Sequence, residues 1–220
     1  MDNWDQLQKA MASGRLSRRE FIGRAAALGI ATSLSSGILA SSAFAETPKK
    51  GGTLRLGMEG GSPSDSLDPR TYADSVMIAA SLTCMNCLIE FDAQGNPTGE
   101  LFESWDVKPG AAEWVFNVRQ GIKFSNGKTL DAEDCIYSIQ LHRGETKSPA
   151  KGILAQIKEI KALSPTQVGI TLSSGNADFP VILGDYHIIV VPKDFTDWDH
   201  LVGTGAYELD GDPEYGVRLG

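Results

Sequence analysis

The sequence predicts an α+β fold, and three observations carry that reading. Strand-like alternation and helix-like periodicity are interspersed along the chain rather than grouped into repeating βα units. Turn chemistry of the hairpin kind punctuates the strands, most clearly at Ser125-Asn126-Gly127-Lys128. The 175 residues after Ala45 suffice for one sizeable core or two small ones. A mixed or antiparallel sheet covered by helices is therefore expected.

Residues 1–45 read as an address that precedes the fold. Ser17, Arg18, Arg19 and Phe21 lie ahead of a span, 25–45, that carries no charge. That span ends in Ala43-Phe44-Ala45, two small residues two apart, as a cleavage site does. The arginine pair resembles a twin-arginine export signal, which implies export of an already folded chain by the twin-arginine machinery. A membrane anchor is the alternative, since the span is long enough to cross a bilayer. Its five serines, with Thr32, Gly29 and Gly37, make it a poor lipid-facing helix, so cleavage after Ala45 is expected.

After Ala45 a polar leader ends in Lys49-Lys50-Gly51-Gly52, and residues 53–57 alternate as a strand. Residues 58–69 form a loop of Gly, Ser, Pro and Asp, and a helix starts near Ser75. Residues 88–92 read as a strand closed by the turn Gln94-Gly95-Asn96-Pro97. In residues 113–119 Trp114, Phe116 and Val118 share one face, and Ile122 and Phe124 keep the same parity in a hairpin or bent strand. Asp131, three residues before Asp134, predicts a capped helix over 132–142 that buries positions 132, 135, 136 and 139. A mixed segment near 153–163, a turn at 164–167, a strand over 168–172, a short helix near 178–183 and a strong strand over 187–191 follow.

Charge and cysteine content exclude several functions. Residues 1–45 hold five basic and three acidic side chains, so 15 basic and 25 acidic residues remain, a formal charge of −10. Such a surface repels phosphate backbones, and no nucleic-acid partner is expected. Cys84-x-x-Cys87 invites a redox or metal reading. Small and apolar residues at 76, 79, 80, 83, 84, 87 and 88 recur at helical spacing, however, and place both thiols against a core. Side chains three apart on a helix sit about 5–6 Å apart at Cβ, too far for a relaxed disulfide. No second Cys pair or His-x-x-His completes a structural zinc site. Two buried free thiols, no metal and no cofactor are expected.

Several segments, read in order, resemble one family. They are Gly52-Thr-Leu-Arg-Leu56, Ser66-Leu67-Asp68-Pro69, Leu88-Ile-Glu-Phe-Asp92, Glu100-Leu-Phe-Glu-Ser104-Trp105, the stretch 114–138, and Gly203-Thr-Gly205-Ala-Tyr207. The succession is similar to the family-5 extracellular solute-binding proteins of ABC importers, the peptide and nickel group. The stretch from Trp114 to Ser138 is the specific part.

The resemblance implies a periplasmic-binding-protein type II-like fold with two lobes that close on a ligand. Residues 46–80 would begin lobe I, 81–192 would be its inserted α/β subdomain, and 193–220 would return to lobe I. Family members are more than twice this long, so a truncated chain without its second lobe is expected. Tyr72, Ala73, Asp74 and Ser75, just after Leu-Asp-Pro, would line the ligand cleft, although capping the helix beside it is the stronger reading for Asp74. Gly60 and Gly61 would permit a turn near the cleft, and Gly203 and Gly205 would lie near the hinge. Trp105 and Trp114, in alternating contexts, are core residues rather than stacking platforms.

The implied partners are a peptide or other small solute and ABC permease subunits of the inner membrane, with the protein in the periplasm. Two rivals remain. One is an exported enzyme, against which stand the scattered His142, His187 and His200 and the lack of a Gly-x-Ser-x-Gly, His-Glu-x-x-His or Walker motif. The other is a receptor remnant that binds nothing.

Overall fold

The computed structural model describes residues 7, 9, 10, 20, 24, 52 and 54–209. The chain divides into two compact units, Met1–Leu56 and Gly57–Gly220. In the first, Leu7, Lys9, Ala10, Glu20 and Arg24 are helical. Ser17, Arg18, Arg19, Phe21, Ala43 and Ala45, the signal positions, lie outside the described residues, as does the end of the return segment, 210–220. No helix among the described residues is long and apolar enough to cross a membrane.

The second unit is built on one antiparallel sheet. Its strands are β3 (Phe102–Val107), β4 (Glu113–Val118), β5 (Ile157–Ser164) and β6 (Gln167–Leu172), in the order β3-β4-β6-β5. A two-stranded ladder, β1 (Ile89–Phe91) with β2 (Pro97–Gly99), precedes it. Both described sheets are antiparallel. The register pairs Trp114 with Ile170 and Phe116 with Val168. Side chains of like parity therefore point to one face, and Trp114, Phe116, Val118, Val168, Ile170 and Leu172 are all buried there. Phe116 is the hub: its ring stacks on Phe102 at 4.8 Å and meets Phe179 edge-on at 6.1 Å. The stacking and burial of these rings supply much of the core's cohesion.

Among the described residues of this unit, four α-helices accompany the strands: α1 (Ser75–Cys84), α2 (Ala132–Gln140), α3 (Lys151–Leu154) and α4 (Phe179–Ile182). Helix α2 closes the core with Ala132, Cys135 and Ile139. Its start is the expected capping box. Asp131 accepts from the Glu133 and Asp134 amides, and Asp134 accepts from the Asp131 amide at 3.1 Å. Ahead of it, the expected turn closes where the Gly127 amide donates to Phe124 O at 2.8 Å, with Gly127 at φ +84°. Beyond Gly121 the expected bent strand is a single bridge, Lys123 with Thr129, and Phe124 is buried.

Three expectations are corrected. The alternating segment 53–57 forms no strand among its described residues, and Leu54 and Leu56 are 81% and 70% exposed. Alternation sets the conformation, but a strand also needs a neighbour, and no described strand pairs with it.

The cysteine stripe is not one helix. α1 stops at Cys84 because Met85 turns extended and the Gly205 amide takes Cys84 O at 2.8 Å. That carbonyl would otherwise be one of the unpaired groups of a helix end. Cys87 then bridges Ile189, and Cys84, Cys87 and Cys135 are all buried and free.

The expected strand 187–191 joins no ladder either, although Ile188, Ile189, Val190 and Val191 are completely buried. Side chains of α2 stand in for a partner strand. Ser138 Oγ accepts from the Val191 amide at 3.0 Å and Asp134 Oδ1 from the Lys193 amide at 2.7 Å. Four residues of helix rise about 6 Å and two residues of strand about 6.7 Å, so positions 134 and 138 meet alternate amides. On the other side Val190 donates to Asn86 O at 3.0 Å.

Candidate ligand-facing site

The segment expected to face a ligand is held from both ends. At its start Asp68 caps the short turn Pro69–Thr71 by accepting from the Arg70 amide at 2.9 Å. The Arg70 guanidinium grips the same carboxylate, Nη2 to Oδ2 at 2.6 Å and Nε to Oδ1 at 2.9 Å. It also lies 5.8 Å above the Trp198 ring. Neither Arg70 nor Trp198 stood out in the sequence. Asp68 and Arg70 are only two residues apart, but the aromatic partner lies far along the chain.

At its end Asp74 caps α1, with Oδ1 accepting from the Val76 amide at 2.8 Å and the Met77 amide at 3.1 Å. The first-turn donors that could have met a ligand anion are thus engaged by the protein. Gly60, at φ +98°, comes so close that a Cβ there would sit 3.3 Å from Asp74 Cβ. Only glycine combines that φ with that approach. Gly61 also has positive φ.

The four expected site residues are placed differently from one another. Ala73 and Ser75 are exposed and Asp74 is half-buried. Tyr72 is only 2% exposed, and its hydroxyl donates to Leu67 O at 2.8 Å and lies 2.9 Å from Ser81 Oγ. Burial raises its pKa well above the usual tyrosine value. Its ring stacks on His187 at 6.4 Å. Tyr72 thus anchors the segment from below, and the exposed surface is Ala73, Ser75 and the edge of Asp74. Small side chains and backbone edges of this kind suit an extended, variable ligand better than one needing a deep pocket.

Around this segment the chemistry is quiet. Burial raises the pKa of all three thiols, that of Cys87 to about 12, so they stay protonated at neutral pH. Among the described residues no group of three His, Cys, Asp or Glu side chains is placed to hold a metal ion. Trp114 is buried with Nε1 donating to Ala111 O at 3.1 Å, and Trp105 packs against the core.

One sequence match decides the kinship. Residues 96–219, more than half of the chain, match the family model described as bacterial extracellular solute-binding proteins, family 5 Middle. The chain belongs to this family. It is 33% identical over 152 residues to the nickel-binding periplasmic protein of Escherichia coli (strain K12), covering 65% of this chain and 29% of that one. It is 28% identical over 195 residues to the glutathione-binding protein GsiB of Escherichia coli O157:H7, covering 84% and 35%.

Solved periplasmic binding-protein structures agree in fold. AgaA of A. tumefaciens R10, a periplasmic binding protein solved with agropinic acid, superposes with a TM-score of 0.66 at 24% identity, covering 72% of this chain and 34% of that one. Burkholderia pseudomallei OppA gives a TM-score of 0.58 at 25% identity, with 67% and 34% covered. The chain therefore spans about a third of the length of the relatives it matches. The sequence resemblance and the family model point to the same family, and the relatives are solute-binding proteins rather than enzymes.

Proposed function

We propose that this chain is part of the substrate-binding component of an ABC importer, capturing a peptide or similar small solute in the periplasm and passing it to a permease in the inner membrane. The observation that carries this reading is the family-5 match over residues 96–219. On this reading the chain binds and delivers its solute and does no chemistry of its own. Binding favours the closed form of a two-lobed protein by differential affinity for the two states. Residues 46–80 and 193–220 belong to lobe I on this reading, and 81–192 are its inserted subdomain. Ala73, Asp74 and Ser75 touch the ligand, with Tyr72 as their buried support. Nickel and glutathione relatives make a metal chelate and a short peptide the solutes to test first.

A thermal-shift series with dipeptides, oligopeptides, glutathione and nickel–histidine chelates at millimolar concentration tests this. A solute at tenfold excess over its Kd stabilises by about 1.4 kcal/mol, a shift of a few degrees. The shift is expected for at least one solute and is lost in Ala73→Trp, which fills the exposed surface. No shift with any solute overturns the proposal, and a submicromolar affinity overturns the view that a second lobe completes the site. Ser17, Arg18, Arg19 and Phe21 direct export through the twin-arginine machinery on the same reading, with cleavage after Ala45. Replacing both arginines by lysine is expected to leave the uncleaved chain in the cytoplasm. Unchanged export would refute that route.

A further inference from the structure

Two buried imidazoles are each satisfied at one nitrogen only. His142 is completely buried and His187 is 4% exposed. His142 Nδ1 lies 2.6 Å from Ser148 Oγ, and His187 Nδ1 lies 2.7 Å from Asp185 Oδ1. The Nε2 atoms of both rings are buried, and among the described residues neither has a hydrogen-bond partner. Buried polar atoms in native folds are almost always paired, with protein or with ordered water.

The two rings occupy one place. Asp134 and Ser138 of α2 meet the amides of Lys193 and Val191. Four further residues along that turn rise about 6 Å, close to the span of two strand residues, which sets His142 level with Ile189 and His187 next along. Burial first, and then the His187 imidazole, lower the His142 pKa, with Asp68, Arg70 and Asp185 acting more weakly.

The partner of each Nδ1 fixes the polarity of the Nε2 across the ring. The Asp185 carboxylate accepts, so His187 in its neutral form carries its proton on Nδ1 and turns a lone pair outward from Nε2. Ser148 Oγ accepts from the Ala150 amide at 3.2 Å, and its hydroxyl hydrogen has no acceptor among the described residues other than His142 Nδ1. His142 therefore carries its own proton on Nε2. One free nitrogen donates and the other accepts, and a single water fills both roles. A metal ion would need lone pairs from both rings and further ligands, and no group of three His, Cys, Asp or Glu among the described residues could hold one.

We propose that one internal water bridges His142 Nε2–H to His187 Nε2, and that the bridged pair positions the ligand-facing segment through Tyr72. The second half rests on the reading of Ala73, Asp74 and Ser75 as the ligand surface. The water fixes the His187 ring at its second nitrogen, and that ring stacks on Tyr72 with centroids 6.4 Å apart and planes 25° from parallel. Tyr72 is tied at its hydroxyl to Leu67 O and Ser81 Oγ, so the bridge holds its ring side as well. Both histidines are positioning residues, and neither touches the solute.

Nitrogen-15 imidazole shifts and water cross-relaxation in the full chain at neutral pH test the bridge. Expected are an Nδ1–H tautomer for His187, an Nε2–H tautomer for His142, and a contact from that Nε2 proton to a slowly exchanging water. A His142 Nδ1–H tautomer, no water contact, a direct bond between the rings, or a stoichiometric metal in the purified protein overturns it. Positioning is read by amide exchange at Thr71 and Val76, which flank the segment and donate to Asp68 O and Asp74 Oδ1. In His142→Leu these two amides are expected to exchange about tenfold faster, with Val118 of β4 unchanged. In His142→Gln, whose side-chain amide still donates, they should stay within about twofold of the wild type. Equal acceleration at Val118, or none at Thr71 and Val76, overturns the positioning. No solute enters these measurements, so their failure leaves the proposed function standing, and a failure of that function leaves the bridge standing.

Discussion

Removing the Asp134 carboxylate is expected to be among the costliest single changes in this chain. The side chain is completely buried and engages several donors at once. Lys128 Nζ approaches Oδ1 at 2.6 Å and Oδ2 at 2.5 Å, the Asp131 amide donates to Oδ2 at 3.1 Å, and the Lys193 amide donates to Oδ1 at 2.7 Å. In Asp134→Ala the ammonium can turn to solvent, since Lys128 is 38% exposed and keeps Asp131 at 3.7 Å. The two amides have no such escape. Each unpaired buried donor costs about 1–3 kcal/mol, and losing half of the capping box adds about 1 kcal/mol. The expected destabilisation is about 3–5 kcal/mol, comparable with breaking a buried ion pair. Urea unfolding followed by Trp fluorescence measures it. A loss below about 1 kcal/mol would show that neither α2 nor the 187–193 segment depends on this carboxylate.

Gly203→Ala and Gly205→Ala each force a methyl into backbone atoms of Cys84, and a loss of about 1–3 kcal/mol per change is expected in the same assay. Tyr72→Phe removes the hydroxyl contacts to Leu67 O and Ser81 Oγ, so a loss of about 1–2 kcal/mol is expected, with solute-induced thermal shifts unchanged if only its support matters. Burial, with a smaller push from His187, lowers the His142 pKa to about 4. The folded value lies below the unfolded value of 6.5, so the stability tied to neutral His142 is complete above about pH 6.5 and lost as pH falls towards 4, by up to about 3 kcal/mol. The wild type minus His142→Gln stability difference, measured from pH 4 to 7, should show that slope, and a flat difference would refute it. Burial raises the Glu100 pKa to about 7, so its contribution falls as pH rises from 4.5 towards 7 and opposes the His142 slope in the wild type.

Much of the sheet was readable because its rules are local. The parity of Trp114, Phe116 and Val118, and that of Val168, Ile170 and Leu172, fixes which face is buried before any partner is known. The caps at Asp74 and Asp131 were equally legible, since a cap involves residues two or three apart. What failed was decided over long distances. The end of α1 depends on the Gly205 amide, so the stripe running on to Cys87 looked helical. The 187–191 segment looked like a ladder strand from its β-branched run, but its amides are met by Ser138 of α2 and by the Asn86 carbonyl, which no alternation pattern encodes. At the site, family position picked out residues 72–75 as a group, but which side chain turns inward depends on Ser81 and Leu67 meeting the Tyr72 hydroxyl.

The substitution of helix side chains for a neighbouring strand also bears on how the chain survives before it is folded. Ile188, Ile189, Val190 and Val191 are β-branched and uncharged, the composition of a cross-β nucleus. Their protection comes from a helix some fifty residues earlier, so the run is sheltered only once α2 exists and has docked. A chain that crosses the membrane after folding never displays it in transit. One threaded through unfolded would present it, sticky and unpaired, on the far side. The folded-state export proposed above and this small piece of packing would thus address one hazard from opposite ends.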